Sequence, residues 1–472
     1  MTFDSLTFAV FITILFGLVA LTRGWQARKG QLLAASYLFY AAWNPVFIFL
    51  LVISTVVDWY AARFMHASVT QGKRRMWLVV SLVVNLGLLA WFKYAGFLTD
   101  NFNALLATVA PGLAWQPPAL DIILPIGISF YTFQTLSYTI DVYRRRIEPG
   151  RSFSDYALYV SFFPQLVAGP IVRYEQFIGQ LIKPRTITGR DVEIGIALML
   201  GGLFLKTVLA DSLFAPVVDA GFAAAIPVAD ASWAAIFSFS GQIYCDFAGY
   251  SLCAIGAARV FGFALPKNFH APYAAVGFSD FWRRWHISLS TWIRDYLYIS
   301  LGGNRHGKWL TIRNLIITMG LGGLWHGAAW TFILWGLLHG LYLVIEHVLR
   351  SALSGWRFLA SRPMQVLWAL LTLLAVTLAW VLFRAESLEQ AITFYGALAG
   401  LNGSGEGLNT MACLALAAMV GLVAWHAWIR RREITELYER LAWPLRGLLI
   451  ALLLATILAS PGEHRAFIYF QF

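Results

Sequence analysis

The histidine at position 326 has a sequence environment that favours a functional site. It lies in the run Gly320-Leu-Gly-Gly-Leu-Trp-His326-Gly, inside a long apolar stretch. An ionisable side chain at membrane depth is costly and is retained where it faces a cavity or a partner. The glycines weaken a helix by roughly 1 kcal/mol each relative to alanine and permit close approach of a ligand or a backbone. Because burial disfavours the imidazolium, we expect a neutral His326 that can accept a proton. The alternative is a packing histidine between closely packed helices.

The amino-acid composition indicates a membrane protein, so we expect His326 to be held by membrane helices. The chain has 472 residues, of which 59% are hydrophobic and 12% are charged. Soluble domains carry about 25% charged residues, so the sequence predicts an all-α, multi-pass membrane protein. Lysine and arginine number 35 against 24 acidic residues. In a membrane protein this excess belongs to cytoplasmic loops, and we expect no nucleic-acid partner.

Hydrophobic runs predict the membrane spans. A spanning helix needs roughly 20 apolar residues. Residues 6–21 lack a basic start and a small-residue cleavage site, which indicates a retained helix rather than a signal peptide. The distribution of basic residues places both termini outside, and we expect one membrane-embedded domain over residues 1–472. Spans are predicted at 5–22, 46–64, 77–95, 122–142, 191–215, 232–257, 365–383, 410–429 and 445–460, with a shorter piece at 31–43.

Two regions do not fit simple spans. Residues 279–301 mix aromatic and charged residues, and 314–349 is too long for one span and is expected to break at Gly320–Gly323. A second broken piece is expected at 155–171, where prolines and a glycine interrupt an apolar run. Irregular backbone at membrane depth is tolerated where it is buried in protein or lines a cavity. We therefore expect the functional site within about 279–349.

The cysteines and scattered polar residues suggest no metal centre. Cys245, Cys253 and Cys413 all lie in apolar segments, without disulfide or zinc spacing, and we expect three small core residues. Asp246 is expected to have a structural hydrogen-bonding role.

A cluster of titratable residues lies near the end of the 314–349 stretch. A dimetal site at His339, Glu346 and His347 fits poorly, because the third residue points away from the face that the first two share. Glu346 is instead expected to form an ion pair with Arg350 on one helix face.

Several segments together resemble the membrane-bound O-acyltransferase superfamily, in particular its bacterial polysaccharide O-acetyltransferase branch, typified by the alginate O-acetyltransferase membrane subunit. The similar segments cover most of the chain and occur in the order of the family. They are Leu124-Pro-Ile-Gly-Ile-Ser-Phe-Tyr-Thr-Phe-Gln134, Tyr159-Val-Ser-Phe-Phe-Pro-Gln-Leu-Val-Ala-Gly-Pro170, Gln242-Ile-Tyr-Cys-Asp-Phe-Ala-Gly-Tyr-Ser251, Asp280-Phe-Trp-Arg-Arg-Trp-His-Ile-Ser-Leu-Ser290, Leu301-Gly-Gly-Asn-Arg305 and Gly322-Gly-Leu-Trp-His-Gly-Ala328.

The resemblance implies a ring of tilted helices around a central funnel, with His326 as the catalytic residue and His286 as the second polar group of the site. It also implies acetyl-coenzyme A as the donor substrate, no permanently bound cofactor, and a periplasmic or surface acetyltransferase partner. The expected location is the bacterial inner membrane, in contact with its lipids.

Basic residues near the histidines are the expected donor-binding groups. Arg283, Arg284 and Arg305, together with Arg294, Lys308 and Arg313, would attract a polyanionic donor. The 3.6-residue period predicts Arg283, His286 and Ser290 on one stripe of an amphipathic helix. Snorkelling at the membrane surface is an alternative role for Arg283 and Arg284.

The C-terminal tail, residues 463–472, is the last candidate. In the resembling branch a tyrosine in such a tail is proposed to accept the acyl group, and Tyr469 occupies that position. A phenol deprotonated by a base such as His326 would be the nucleophile. An aromatic anchor at the membrane interface is the alternative.

Other functions remain open from the sequence. Within the superfamily these are D-alanyl transfer to teichoic acid and lipid O-acylation. Outside it, a solute or ion transporter would use a midplane histidine, although we find no inverted repeat in the sequence. The acceptor polymer, which could be alginate, cellulose, another exopolysaccharide or peptidoglycan, is not specified.

Overall fold

A computed structural model contains helices joined by turns and loops, and no strand occurs in the part of the chain it describes. It describes residues 1–110, 118, 120, 122–167, 169–353, 361–403, 405, 407–460 and 465–468. The predicted all-α class is confirmed.

Six helical stretches among the described residues are long and apolar enough to cross a membrane. Two further apolar helices, Leu6–Leu21 and Trp443–Ala459, are shorter. Both coincide with spans predicted from the sequence. The polytopic membrane character is therefore confirmed. The six stretches are Pro45–Ala67, Gln71–Val109, Gly189–Ala223, Trp330–Ala352, Arg362–Arg384 and Thr410–Ile429.

Contacts divide the chain into two compact units, and the prediction of a single domain stays a prediction. The first unit comprises residues 1–191, 258–265 and 327–329. The predicted break in 155–171 is confirmed at Phe162, between two helices. Its helices are α1 (Leu6–Leu21), α2 (Trp25–Ala41), α3 (Ile48–Ala67), α4 (Gln71–Leu89), α5 (Ala95–Val109), α6 (Ile128–Tyr143), α7 (Phe153–Ser161), α8 (Phe163–Leu166) and α9 (Tyr174–Ile182).

The second unit comprises residues 192–257, 266–326 and 330–472 and contains both histidines of interest. Segments Phe204–Phe214 and Ile293–Tyr298 are π-helical. The helices that lie wholly or mainly in this unit are α10 (Gly189–Leu203), α11 (Ala215–Ala223), α12 (Ala229–Val260), α13 (Phe278–Trp282), α14 (Ile287–Trp292), α15 (Lys308–His326), α16 (Trp330–Ala352), α17 (Arg362–Arg384), α18 (Leu388–Leu398), α19 (Thr410–Ile429), α20 (Ile434–Arg440) and α21 (Trp443–Ala459).

Helix α12 forms the core of the second unit. Ile236, Phe239, Ile243 and Phe247 on this helix are fully buried. Cys245 and Cys253 are also buried, but Cys413 on α19 is exposed, so the expectation of three core cysteines is wrong for Cys413. Apolar sequence does not separate a core position from one on the outer face, because in a membrane protein both are apolar.

Candidate active site

Helix α15 carries His326 as its last residue. The helix runs unbroken through the glycines, so the expected break at Gly320–Gly323 is wrong, and the chain leaves helical structure only after His326. The glycines serve close packing instead. A Cβ atom on Gly323 would overlap the carbonyl oxygen of Phe332, and one on Gly336 would overlap that of Met319. Glycine at both positions therefore lets α15 and α16 pack backbone to backbone and fixes the end of α15.

The imidazole of His326 lies among aromatic rings and is 4% exposed. Its ring centroid lies 5.1 Å from that of Trp335 and 5.4 Å from that of Phe383, both in edge-on arrangements. The neighbouring Trp325 ring lies at 5.0 Å. These contacts restrict the ring to few orientations and remove most of the surrounding water, which suits a group that must act in one defined direction.

His286 lies at a break between two short helices. Its φ is +42°, in the left-handed region, and it precedes α14 as the N-cap residue. The expected single amphipathic helix through Arg283, His286 and Ser290 is therefore wrong. Two backbone hydrogen bonds hold the break: the N–H of Ile287 donates to the carbonyl of Asn268 at 2.9 Å, and the N–H of His270 donates to that of Arg284 at 3.0 Å.

The two histidines converge. Their ring centroids are 6.5 Å apart, with 60° between the planes, so an atom between the rings could contact both. His286 is fully buried and lies outside the six apolar spans, and burial lowers the pKa of its imidazole to about 3. His286 is thus neutral at physiological pH and carries one N–H donor and one acceptor nitrogen.

A cavity of about 300 Å³ opens beside His326, and His286 does not line it. Arg283 and Arg294 contribute to its wall with side chains that are 67% and 59% exposed. The Arg283 guanidinium lies 4.0 Å from the carboxylate of Asp280, and that of Arg294 lies 2.7 Å from the carboxylate of Asp295. Since His326 is almost fully buried, the arginines mark the open end of the cavity and His326 its interior. The remaining wall includes Trp282, Ile287, Leu289, Ser290, Thr291, Ile293, Tyr298, Leu315, Thr318, Met319, Gly322 and Trp335.

Two predicted site residues, Arg284 and Arg305, lie elsewhere. Arg284 does not line the cavity, because its guanidinium contacts Asp280 at 3.1 Å and the carbonyl of His270 at 3.2 Å. Arg305 is exposed in the turn before α15 and does not line the cavity. Tyr469 lies outside the described residues. The ligand-binding role of Arg283, Arg284 and Arg305 and the catalytic roles of His326, His286 and Tyr469 stay predictions.

Asp280 connects the segment before His286 to the end of α19. Its carboxylate receives the Arg284 guanidinium and, at 3.0 Å, that of Arg430, and it also accepts the backbone N–H of Val276 at 3.0 Å. Burial alone would raise the pKa of this carboxyl, but these three donors together bring it below its usual value. The role of Asp280 is not among the predictions from the sequence, although an acidic residue within an aromatic run is a signal for such a role.

The predicted ion pair on α16 is confirmed. The Arg350 guanidinium contacts the Glu346 carboxylate at 2.6 Å, and that carboxylate also accepts the backbone N–H of Ser279 at 2.8 Å. Glu346 therefore anchors the start of α13, the helix that precedes His286.

Among the described residues no three metal-binding side chains converge on one point.

Comparison with known proteins identifies the family. Residues 144–385, which include His286 and His326, match the model of the membrane-bound O-acyltransferase family. The chain is 42% identical over 402 residues to a probable alginate O-acetylase of Azotobacter vinelandii, a match that covers 84% of this chain and 78% of that protein. The chain belongs to the membrane-bound O-acyltransferase family. It is an O-acyltransferase, as the resemblance of its motifs implied.

Two further relatives show the range of the family. A peptidoglycan O-acetyltransferase of Helicobacter pylori is 39% identical over 404 residues, covering 79% of this chain and 74% of the relative. A teichoic acid D-alanyltransferase of Bacillus subtilis is 25% identical over 280 residues, covering 56% of this chain and 69% of the relative. The identity to the alginate and peptidoglycan O-acetylation proteins, 42% and 39%, is thus higher than the 25% identity to the D-alanyltransferase.

Proposed function

We propose that this O-acyltransferase takes an acetyl group from cytoplasmic acetyl-coenzyme A and passes it across the membrane for O-acetylation of an extracytoplasmic polysaccharide. The observation that carries the proposal is His326 at the interior of a cavity with two exposed arginines at its open end, next to a second buried histidine. The relatives named as alginate and peptidoglycan O-acetyltransferases support the acetyl group and a polysaccharide acceptor.

The donor would enter by its thioester end. A coenzyme A thioester is polyanionic at its nucleotide end, and Arg283 and Arg294 offer positive charge where the cavity opens. The apolar wall beyond them suits the uncharged arm and the acetyl group. A cavity of about 300 Å³ lies at the small end of the range for ligand pockets, which favours a short acyl group.

Transfer requires a base and a donor for the developing oxyanion. His326 accepts the proton of the attacking hydroxyl as its oxygen bonds to the thioester carbonyl carbon. His286 does not line the cavity, so this proposal requires the carbonyl group to reach the space between the two imidazole rings, whose centroids are 6.5 Å apart. There the N–H of His286 would donate to the carbonyl oxygen, which carries negative charge until the carbon–sulfur bond breaks. The proton on His326 then passes to the leaving thiolate, so that coenzyme A departs as a thiol and His326 returns to its neutral form.

The immediate acceptor in this proposal is the phenol of Tyr469, which would carry the acetyl group as an ester towards the outer side. A periplasmic or surface acetyltransferase would then transfer it to the polymer. The physical reason for a relay is that the charged thioester does not cross the bilayer, whereas its acetyl group can be handed on.

Thiol release tests the donor and the base together. Purified full-length protein in lipid nanodiscs is supplied with acetyl-coenzyme A, the partner acetyltransferase and its polymer as onward acceptors, and free coenzyme A is measured. We expect turnover by the wild type and a loss of about 10²- to 10⁴-fold for His326→Gln. His339→Gln is the matched control, because His339 is equally buried on α16 but does not line the cavity, and it should retain activity within a few-fold.

Turnover by His326→Gln at the wild-type rate would remove His326 from the reaction. A wild type that is inactive with acetyl-coenzyme A but active with a D-alanyl thioester would overturn the acetyl donor and favour the D-alanyl alternative.

A further inference from the structure

The described part of the C-terminal tail is inserted into the core of the second unit. The backbone N–H of Ile468 donates to a carboxylate oxygen of Asp246 on α12 at 2.7 Å. The ring of Phe467 is 2% exposed and stacks on that of Tyr250, with centroids 4.5 Å apart and 28° between the planes. The Arg465 guanidinium also contacts the carboxylate of Asp219. Backbone, aromatic and charged contacts therefore all hold residues 465–468.

Asp246 is itself held by a buried lysine. The ammonium of Lys206 lies 2.7 Å from Asp246 and 2.9 Å from Asp211, and the three side chains are 8%, 3% and 5% exposed respectively. The π-helical course of Phe204–Phe214 accounts for the second contact. Its i to i+5 period brings Lys206 and Asp211 to the same face, where an α-helix would separate them.

The buried cluster of Lys206, Asp211 and Asp246 favours a further hydrogen-bond donor to its carboxylates. One ammonium faces two carboxylates in a buried setting, and buried carboxylates need hydrogen bonds beyond a single ion pair to offset desolvation. The Ile468 N–H supplies one such bond at Asp246. A backbone N–H suits this place because it adds a donor without a second buried cation.

Glycine contacts fix the position of Lys206 relative to Asp246. A Cβ atom on Gly202 would lie 2.5 Å from the carbonyl oxygen of Gly249, and one on Gly256 would lie 2.5 Å from that of Gly195. Helices α10 and α12 therefore touch backbone to backbone in antiparallel register. Lys206 and Asp246 face each other just beyond these glycine contacts. The close packing of the two helices therefore fixes the distance between the ammonium and the carboxylate.

The tail is connected to the histidines through one ring. Phe247, the residue after Asp246, lies 5.6 Å from Phe467 and 4.7 Å from His286 by ring centroids. His286 in turn lies 6.5 Å from His326. The tail is thus packed against a ring that also contacts the candidate site, and Tyr469 is the next residue after Ile468 in the sequence.

We propose that Asp246, held by Lys206 and Asp211, is a latch that docks residues 465–468 of the C-terminal tail against Phe247, the ring that also contacts His286. Asp246 and Lys206 are positioning residues: they bind the tail backbone and take no part in bond making. The latch as a structural contact is independent of the acetyl-transfer proposal. Its role, to present Tyr469 to the site, rests on that proposal.

The rate of tryptic cleavage after Arg465 reports whether residues 465–468 are docked, and it can be measured without any substrate. Ile468→Pro removes the N–H donor and leaves Lys206, Asp211 and Asp246 intact, whereas the control Ile468→Ala keeps that N–H and loses only the side chain. Arg465 is a trypsin site at the start of the docked segment. Released peptide from residue 466 onwards is quantified by mass spectrometry against cleavage at exposed Arg431 in the same sample.

We expect Ile468→Pro to speed cleavage after Arg465 by about 10- to 100-fold relative to Ile468→Ala. This is the change in the population of the undocked segment that corresponds to the loss of one hydrogen bond to a charged group. Cleavage after Arg431 should not change. Equal rates for the proline and alanine variants, or a wild type cut after Arg465 as fast as after Arg431, would overturn the latch.

Steady-state kinetics of acetyl transfer test whether the latch presents Tyr469 to the site. We expect Ile468→Pro to lower kcat for acetyl transfer at least 10-fold with an unchanged KM for acetyl-coenzyme A, because the cavity is untouched. Tyr469→Phe should lose transfer while its tail stays protected from trypsin. A full kcat in Ile468→Pro despite rapid cleavage would overturn the positioning role. Failure of the acetyl-transfer proposal is distinguishable, because the wild type would then also be inactive with acetyl-coenzyme A.

Discussion

At the scale of single residues, position within the fold separates side chains that look alike in the sequence. Arg283 and Arg284 both contact Asp280, at 4.0 Å and 3.1 Å, yet only Arg283 lines the cavity, whereas Arg284 also donates to two backbone carbonyls. Likewise, His326 lines the cavity, whereas His339 is buried among the rings of Trp335 and Trp282. The two members of each pair should therefore respond differently to substitution.

Arginine substitutions test this difference. Arg283→Gln and Arg294→Gln should each raise the KM for acetyl-coenzyme A several-fold with little change in kcat, and should weaken the dependence of KM on salt, since screening acts on exposed charges. Arg284→Gln should instead lower Tm. A raised KM with an unchanged Tm in Arg284→Gln would show that Arg284 contacts the donor.

Asp280 should make stability depend on pH. Its folded-state pKa is lowered, so its stabilising effect is present above the unfolded-state value of about 4 and is lost as pH falls through the folded value. Asp280→Asn should therefore lower Tm at pH 7, and the difference from wild type should shrink below about pH 4. Thermal unfolding of both proteins across this range is the measurement, and a constant difference would contradict the assignment.

At the scale of elements, glycine contacts between helices build the site. Gly323 and Gly336 join α15 to α16, and Gly202 and Gly249 join α10 to α12. The first pair fixes the end of the helix that carries His326. The second aligns Lys206 with Asp246. Helical structure continues through all four glycines, so they act by removing side-chain volume.

Alanine at Gly323 should force α15 and α16 apart. Overpacking of this kind costs about 1–3 kcal/mol, and we expect a lower Tm together with a lower kcat. Gly421→Ala on α19 is the control: no atom lies within 4 Å of the added Cβ, so its effect should be neutral or stabilising by up to about 1 kcal/mol. A Gly323→Ala variant as stable as Gly421→Ala would contradict the packing role.

The sequence could predict the helices and the histidines but not how they are joined. His326 and His286 follow from a costly buried histidine and from family motifs. The helix break was misplaced because a run of glycines has the same appearance whether it bends a helix or packs against another, and only the partner helix decides. The latch was missed because Lys206, Asp246 and Ile468 are far apart along the chain, although a lysine within an apolar span was a usable signal.

In the whole molecule, the proposed function requires the charged donor on one side of the membrane and the acceptor on the other. The basic loops predict that residues 73–75 and 144–151 face the cytoplasm and that 216–231 face outward. Single cysteines introduced at Arg75 and at Ala225 should therefore react with an impermeant thiol reagent from opposite sides of the membrane. Reaction of both from one side would contradict this orientation.

Vectorial acetyl transfer tests whether His326 catalyses the passage of acetyl groups across the membrane. Full-length protein is reconstituted in liposomes with radiolabelled acetyl-coenzyme A on the side of the basic loops, and labelled acetyl ester is measured on the opposite side with the partner acetyltransferase and polymer present. We predict labelled acetyl ester on the far side of the membrane for wild type and His339→Gln, and a loss of at least 100-fold for His326→Gln. Equal transfer by His326→Gln, or label that never leaves the donor side in the wild type, would contradict it.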